Sequence, residues 1–100
     1  MLFRSTGGPT HQSYEDVGVM RAMPNFKVLV PADGIALKKA VLAAAEHIGP
    51  VFIRSGRDDE YDVYTDEDCP FEIGKANVLR DGNDVAIIAC GFMVDRKSVV

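Results

Sequence analysis

Between Lys27 and Arg54 the chain reads as strand, helix and strand joined by short connections, and that order constrains the fold more than any other feature. Lys27–Val30 is a short apolar run that predicts a strand, closed by Pro31-Ala32-Asp33. Asp33 is suited to cap a helix, because a carboxylate there accepts from the free N–H groups of the first turn. The helix is predicted over Gly34–His47. Leu37, Val41, Ala44 and Ile48 recur at helical spacing and are expected to line its buried stripe, with Lys39 and Glu46 pointing away. Ile35 and Leu42 lie off that stripe, which implies burial on more than one side. Gly49-Pro50 ends the helix, and Val51–Arg54 predicts a second strand. Two strands joined through a helix in this way form a parallel pair with a right-handed crossover.

The flanks are less regular. A Gly/Pro turn, Gly7-Gly8-Pro9-Thr10-His11-Gln12, precedes a short helix whose start is expected at Ser13, paired with Asp16 in a weak capping box. Tyr14, Val17 and Met20 give that helix a partial apolar face, and Pro24-Asn25 stops it. Beyond the second strand, Phe71–Leu79 predicts an extended segment, Asp81-Gly82-Asn83-Asp84 a turn, and Val85–Ala89 a fully apolar strand. The expected class is α/β, a partial parallel sheet with flanking helices.

Charge and cysteine content narrow the function classes. Eleven Lys/Arg against fifteen Asp/Glu give a net charge of −4. Seven of the acids crowd into one run: Asp58, Asp59, Glu60, Asp62, Asp66, Glu67 and Asp68. That run lacks the pattern of a calcium loop and reads as a solvated loop. No basic stripe interleaved with aromatics occurs, which argues against nucleic acid as a partner. Cys69 and Cys90 form no cluster with His11 or His47, so no metal site is legible. Two isolated cysteines suit a reducing compartment, where each is a small core or loop residue. The apolar stretches Val41–Ala45 and Val85–Cys90 are far shorter than the roughly 20 residues that span a bilayer. With no secretory leader at the start, a soluble, cytoplasmic protein without membrane contact is the expectation.

Two residues stand out chemically. Arg57 follows the second strand directly through Ser55-Gly56, and ligands of open α/β sheets bind beyond the carboxyl ends of the strands. A guanidinium there can grip a phosphate through its fixed fork of donors, or pair on the surface with Asp58 or Asp59. His11 sits in a turn where backbone can approach a ligand closely, and an imidazole exchanges protons near neutral pH. By position alone, a lone histidine is more often structural than catalytic. Arg54, inside the strand, is expected to make a structural ion pair, and His47 to cap the end of the second helix.

The order of short motifs is more specific than any one of them. Gly8-Pro9-Thr10-His11-Gln12, Glu15-Asp16, Met20-Arg21-Ala22-Met23-Pro24-Asn25 and Val28-Leu29-Val30-Pro31-Ala32-Asp33 come first. Gly49-Pro50-Val51-Phe52-Ile53-Arg54-Ser55-Gly56-Arg57, Phe71-Glu72-Ile73-Gly74-Lys75-Ala76 and Asp84-Val85-Ala86-Ile87-Ile88-Ala89-Cys90-Gly91 follow. Together, from Gly7 to Val94, they resemble transketolases, and most of all the separate C-terminal subunit of split, two-chain members. The resemblance implies a thiamine-diphosphate-binding fold, with residues 6–57 the later part of a pyrimidine-binding domain. Residues 58–70 would be an acidic linker and 71–94 the start of the C-terminal domain. It implies transfer of a two-carbon ketol unit between sugar phosphates, with thiamine diphosphate and a divalent cation (Mg or Ca) as cofactors. The partner it implies is a diphosphate-binding domain or subunit that holds the cation, in a dimer of such units. His11 matches the family histidine beside the thiazolium carbon, which assists proton transfer and stabilises the oxygen of the bound intermediate. Arg57 matches an arginine that clamps the substrate phosphate.

Departures from the family pattern carry expectations too. An acidic residue that contacts substrate hydroxyls usually stands two positions before the turn proline, where this chain has Gly7, so donor preference need not follow the family. The main cofactor-binding residues, including the activating glutamate, are expected upstream of Met1, and the chain alone is expected to be inactive. A 1-deoxyxylulose-5-phosphate synthase shares the Gly-Pro-Thr-His-Gln turn, but Ile53-Arg54-Ser55-Gly56-Arg57 is more similar to transketolase. The β subunit of 2-oxoacid dehydrogenases fits Thr10-His11-Gln12 poorly, and a non-catalytic assembly module with the same fold is the alternative from another class. Leu2-Phe3-Arg4-Ser5 can be encoded CTC TTC CGA TCT, whose reverse complement read from its second base begins Asp-Arg-Lys, as does Asp95-Arg96-Lys97-Ser98. Residues 1–5 and 95–100 are therefore expected to be translations of one sequencing adapter.

Overall fold

The computed structural model describes residues 13–56 and 62–94. Its elements follow in the order α1 (Asp16–Ala22), β1 (Lys27–Leu29), α2 (Gly34–Glu46) and β2 (Val51–Ile53). The two strands pair in parallel with Lys27 opposite Val51, Val28 opposite Phe52 and Leu29 opposite Ile53. Backbone bonds extend the pairing at both ends, from Lys27 N to Pro50 O (3.0 Å) and from Arg54 N to Leu29 O (2.9 Å). The strand–helix–strand unit expected from the sequence is thus present.

Asp33 starts α2 as anticipated: its extended backbone leaves the carboxylate free to accept from Ala36 N at 2.7 Å. At the other end the His47 N–H donates to Ala44 O, so His47 caps the helix through its backbone. Gly49 then takes a φ of 138°, a region closed to side-chain-bearing residues, which lets the chain reverse into Pro50 and β2.

The buried stripe of α2 is not the expected one. Ala36 and Ala40 are its buried residues and continue the face begun by buried Ala32, whereas Val41 is half exposed and Ile48 is 99% exposed. Spacing identifies a stripe but not its partner. Of the expected stripe Leu37 and Ala44 are half-buried, and of the two residues beside it Ile35 is half-buried and Leu42 exposed, while the methyl-sized Ala36 and Ala40 allow the closest approach. Lys39 does not point into solvent either. Its ammonium donates to Asp66 O (3.1 Å) and Cys69 O (2.7 Å), pinning the segment that follows β2 onto the helix.

α1 begins later than expected. Glu15 is its N-cap and makes no side-chain capping bond, so the Ser13–Asp16 capping box does not form; the Asp16 carboxylate is turned toward Arg54 instead. Val17 and Met20 are half-buried, but Tyr14 is exposed. Asn25 adopts φ 65° in the turn into β1, a conformation asparagine tolerates.

Neither extended segment toward the end forms a strand among the described residues. Val85, Ile87 and Ile88 are exposed, Ile88 by 96%. A strand is defined by its neighbour, and no described segment pairs with this one. The chain nevertheless returns to the sheet: Gly91 N donates to Val30 O at 3.0 Å, and Val94 is buried. The core is small, made of Ala32, Ala36, Ala40, Cys69 and Val94 around the buried Asp33.

Candidate functional site

The place to look for a site in a parallel pair is beyond the carboxyl ends of its strands, where backbone groups and departing loops converge. β1 leaves through Val30-Pro31-Ala32-Asp33 and β2 through Arg54-Ser55-Gly56. His11 and Arg57, the two residues nominated by the sequence, lie outside the described residues. Arg57 is the next residue after Gly56, and His11 lies two positions before Ser13.

Three arrangements build this edge. The first centres on Asp33, only 1% exposed. One carboxylate oxygen caps α2, and the other accepts from Val63 N (2.7 Å) and Tyr64 N (2.8 Å). A charged acceptor with three N–H donors is well satisfied, which is what allows a carboxylate to be buried here. The sequence showed the cap, but not the clasp on residues thirty positions away, because a tertiary bond has no local pattern.

The second arrangement joins α1 to the end of β2. Arg54 Nε lies 3.3 Å from Asp16 Oδ2, with the arginine side chain 42% exposed and the aspartate 20%. This is the structural ion pair expected of Arg54. The other carboxylate oxygen, Asp16 Oδ1, is buried and has no hydrogen-bond partner among the described residues.

In the third, the Gly91–Val94 turn lies against the exit of β1. Gly91 has φ 58°, and a Cβ there would stand 3.0 Å from Val30 Cγ1, so glycine is required by both conformation and space.

Cys69, in the segment held by Lys39, is buried. Burial pushes its thiol pKa up, the nearby Lys39 ammonium works against that, and Asp33, Asp68 and Asp66 add to the rise. It is a protonated packing residue rather than a nucleophile. Cys90 is exposed. Among the described residues no group of three or more His, Cys, Asp or Glu is placed to hold a metal ion. No helix among the described residues is long and apolar enough to cross a membrane.

The elements define a class first: an α/β unit whose parallel strands send their carboxyl ends toward a loop-built edge. The family model for the transketolase pyrimidine binding domain matches residues 4–60. The chain belongs to the transketolase family, through that domain. It is 44% identical over 85 residues to a putative transketolase C-terminal section of Methanocaldococcus jannaschii, covering 84% of this chain and 27% of that protein. Over 87 residues it is 40% identical to one of the subunits of an apulose-4-phosphate transketolase from Phocaeicola vulgatus, covering 87% of this chain and 28% of that one. A 1-deoxy-D-xylulose-5-phosphate synthase of Synechococcus is 41% identical over 88 residues, 86% of this chain and 14% of the enzyme. A solved split-gene transketolase, described as an inactive β4 tetramer, superposes with a TM-score of 0.83 at 43% identity. That match covers 90% of this chain and 30% of the other. The chain thus spans about a quarter of the length of the curated transketolase relatives it matches.

Proposed function

We propose that these residues are part of a transketolase that moves a two-carbon ketol unit between sugar phosphates, working with a diphosphate-binding domain or subunit in a dimer of such units. The observation that carries the reading is the family match over residues 4–60. It spans both the His11 turn and the exit of β2, which leads into Arg57. Residues 6–57 then belong to the pyrimidine-binding domain, 58–70 connect it onward and 71–94 open the C-terminal domain. Thiamine diphosphate, when bound, would supply the carbon nucleophile for this transfer. The divalent cation belongs with the diphosphate-binding partner.

In this reading Arg57 binds the substrate phosphate. A guanidinium at a strand exit offers two parallel N–H donors to phosphate oxygens, fixing the far end of the sugar and so its reacting end. His11 holds and moves a proton at the substrate oxygen next to the reacting carbon, a task suited to a group that titrates near neutral pH. In the full-length protein combined with its partner, Arg57→Ala raises KM for phosphorylated acceptors with little change for unphosphorylated ones. His11→Ala lowers kcat, by about 10²- to 10⁴-fold. An unchanged KM for phosphorylated substrates in Arg57→Ala removes the phosphate assignment.

Two relatives define the competing readings. The match to a 1-deoxy-D-xylulose-5-phosphate synthase predicts accumulation of that product in place of two-carbon exchange. The solved relative described as an inactive β4 tetramer supports an assembly module, which predicts no transfer even when the partner subunit is added.

A further inference from the structure

We propose that residues 62–69 are a strap that opens from α2 as one unit, ahead of the strand pair, and that this opening gates the Cys69 thiol. The strap stands independently of the ketol-transfer reading. It has no helix or strand of its own, and its only internal backbone anchor is Asp68 N, which donates to Thr65 O (3.1 Å) and Thr65 Oγ1 (3.2 Å). Side chains from the cap and first turns of α2 hold it instead. Asp33 Oδ2 accepts from Val63 N (2.7 Å) and Tyr64 N (2.8 Å), and Lys39 Nζ donates to Asp66 O (3.1 Å) and Cys69 O (2.7 Å). The Lys38–Asp66 pair, 3.7 Å apart and exposed on both sides, adds little. Asn77 Nδ2 reaches Tyr64 OH (3.2 Å) and Pro70 O (2.6 Å), but from the chain that follows the strap rather than from α2 or the strands.

Two features make the opening a unit. Val63, Tyr64, Asp66 and Cys69 are close neighbours in the chain, so each anchor holds the next group near its partner, and closing the few residues between them costs little. Cys69 is only 3% exposed, and its own carbonyl is the shorter of the two Lys39 bonds, so that bond and the burial of the thiol are lost together. The strap also has the marks of a segment that opens at low free energy: Asp62 and Thr65, Asp66, Glu67 and Asp68 are exposed, and Cys69 is its one fully buried side chain. Beyond it, Gly91 N donates to Val30 O (3.0 Å) and Val94 is buried, which keeps the following chain on the sheet. Opening thus frees the way out of the family-matched residues 4–60 without detaching what comes next.

The test uses the full-length protein, with maleimide labelling read at the peptide that carries Cys69 and hydrogen exchange read at single amides. In the wild type, Cys69 labelling and exchange at Val63 and Tyr64 are expected to give one opening constant. Its dependence on low urea should be shallower than that of the Arg54 amide, which is bonded to Leu29 O in the strand pair, because a strap exposes less surface than the whole fold. Lys39→Met keeps the aliphatic stem and removes the donor. It is expected to speed Cys69 labelling about ten- to a hundredfold and to deprotect Val63 and Tyr64 by a similar factor, although their acceptor, Asp33, is untouched. The Arg54 and Gly91 amides keep their protection. Faster Cys69 labelling with Val63 and Tyr64 still protected means two separate contacts and overturns the unit. Loss of protection at Arg54 in step with the strap means global unfolding and overturns the order of opening. Unchanged Cys69 labelling in Lys39→Met overturns the gate. Should Lys39→Met fail to fold, different opening constants for Cys69 and the two amides in the wild type refute the strap by themselves.

Discussion

Removing the Asp33 carboxylate should detach the segment after β2 from α2 as well as uncap the helix. Its oxygens accept from Ala36 N at 2.7 Å, Val63 N at 2.7 Å and Tyr64 N at 2.8 Å. Loss of a side-chain N-cap costs about 1 kcal/mol. A hydrogen bond to a charged acceptor contributes roughly 1.5–3 kcal/mol. The Val63 and Tyr64 bonds are only partly buried, so water takes up some of that loss. Together these place Asp33→Ala at about 2–5 kcal/mol for the clasped segment and about 1 kcal/mol for the first turn of α2. Asp33→Asn separates the two functions. An amide has one acceptor oxygen, and its NH₂ would face N–H donors on the other side, so it can keep the cap or the clasp but not both. Hydrogen exchange at the amides of Ala36, Val63 and Tyr64 in the full-length protein reads each bond separately, at about 1.4 kcal/mol per tenfold loss of protection. In Asp33→Ala all three amides lose protection, Val63 and Tyr64 the most. Unchanged protection at Val63 and Tyr64 would refute the clasp, and an Asp33→Asn variant equal to wild type at all three would refute the double role.

Four further outcomes follow from the same geometry. Cys90, being exposed, should react with a thiol reagent well before buried Cys69, and equal rates at neutral pH would contradict the burial. Because burial raises the Cys69 pKa, its neutral form is favoured in the fold. Its contribution is intact below the ordinary thiol pKa and is lost as pH rises from that value toward the folded one, so Cys69→Ser should flatten the alkaline limb of a pH–stability curve. Gly91→Ala forces a side chain into φ 58° with its Cβ 3.0 Å from Val30 Cγ1. A loss of about 1–3 kcal/mol is expected in urea unfolding, and no loss would show that the turn is free to move. The 100-residue chain by itself should self-associate through apolar surface such as Ile48 (99% exposed) and Ile88 (96%). A sharp cooperative melt at monomer mass would contradict that.

What was legible in the sequence was local. Asp33 before Gly34, Gly49-Pro50 after the helix and two short apolar runs specify a cap, a stop and two strands, and all four appear within a residue or so of their expected bounds. What the sequence hid was which partner each face meets. Leu37, Val41, Ala44 and Ile48 satisfy helical spacing as well as Ala32, Ala36 and Ala40 do, and hydrophobicity favours the larger set. The structure buries Ala32, Ala36 and Ala40 fully and leaves Leu37 and Ala44 half-buried, because close approach selects for size where hydropathy cannot. Lys39 failed for a related reason: a long aliphatic stem can lie along the fold while its ammonium reaches two backbone carbonyls, and no spacing rule announces that. Val85–Ala89 has the composition of a buried strand and lacks a described neighbour to make it one.

The distribution of these features separates the two ends of the strand pair. At the amino ends, the connections close with simple turns, Asn25 at φ 65° and Gly49 at φ 138°, each solved by one residue with the right backbone freedom. At the carboxyl ends, the chain uses long-range devices instead: a buried carboxylate with three donors, an ion pair between α1 and β2, and a glycine turn against Val30. Each joins segments far apart in sequence and restrains a loop exit. Rigid loops over the carboxyl ends of parallel strands are what a site assembled from several segments needs, since small displacements of a phosphate-gripping side chain are felt at the reacting carbon. The Asp33 clasp and the Asp16–Arg54 pair are separable in the same way: loss of the clasp should loosen the 62–70 segment, whereas loss of the ion pair should leave that segment protected in hydrogen exchange.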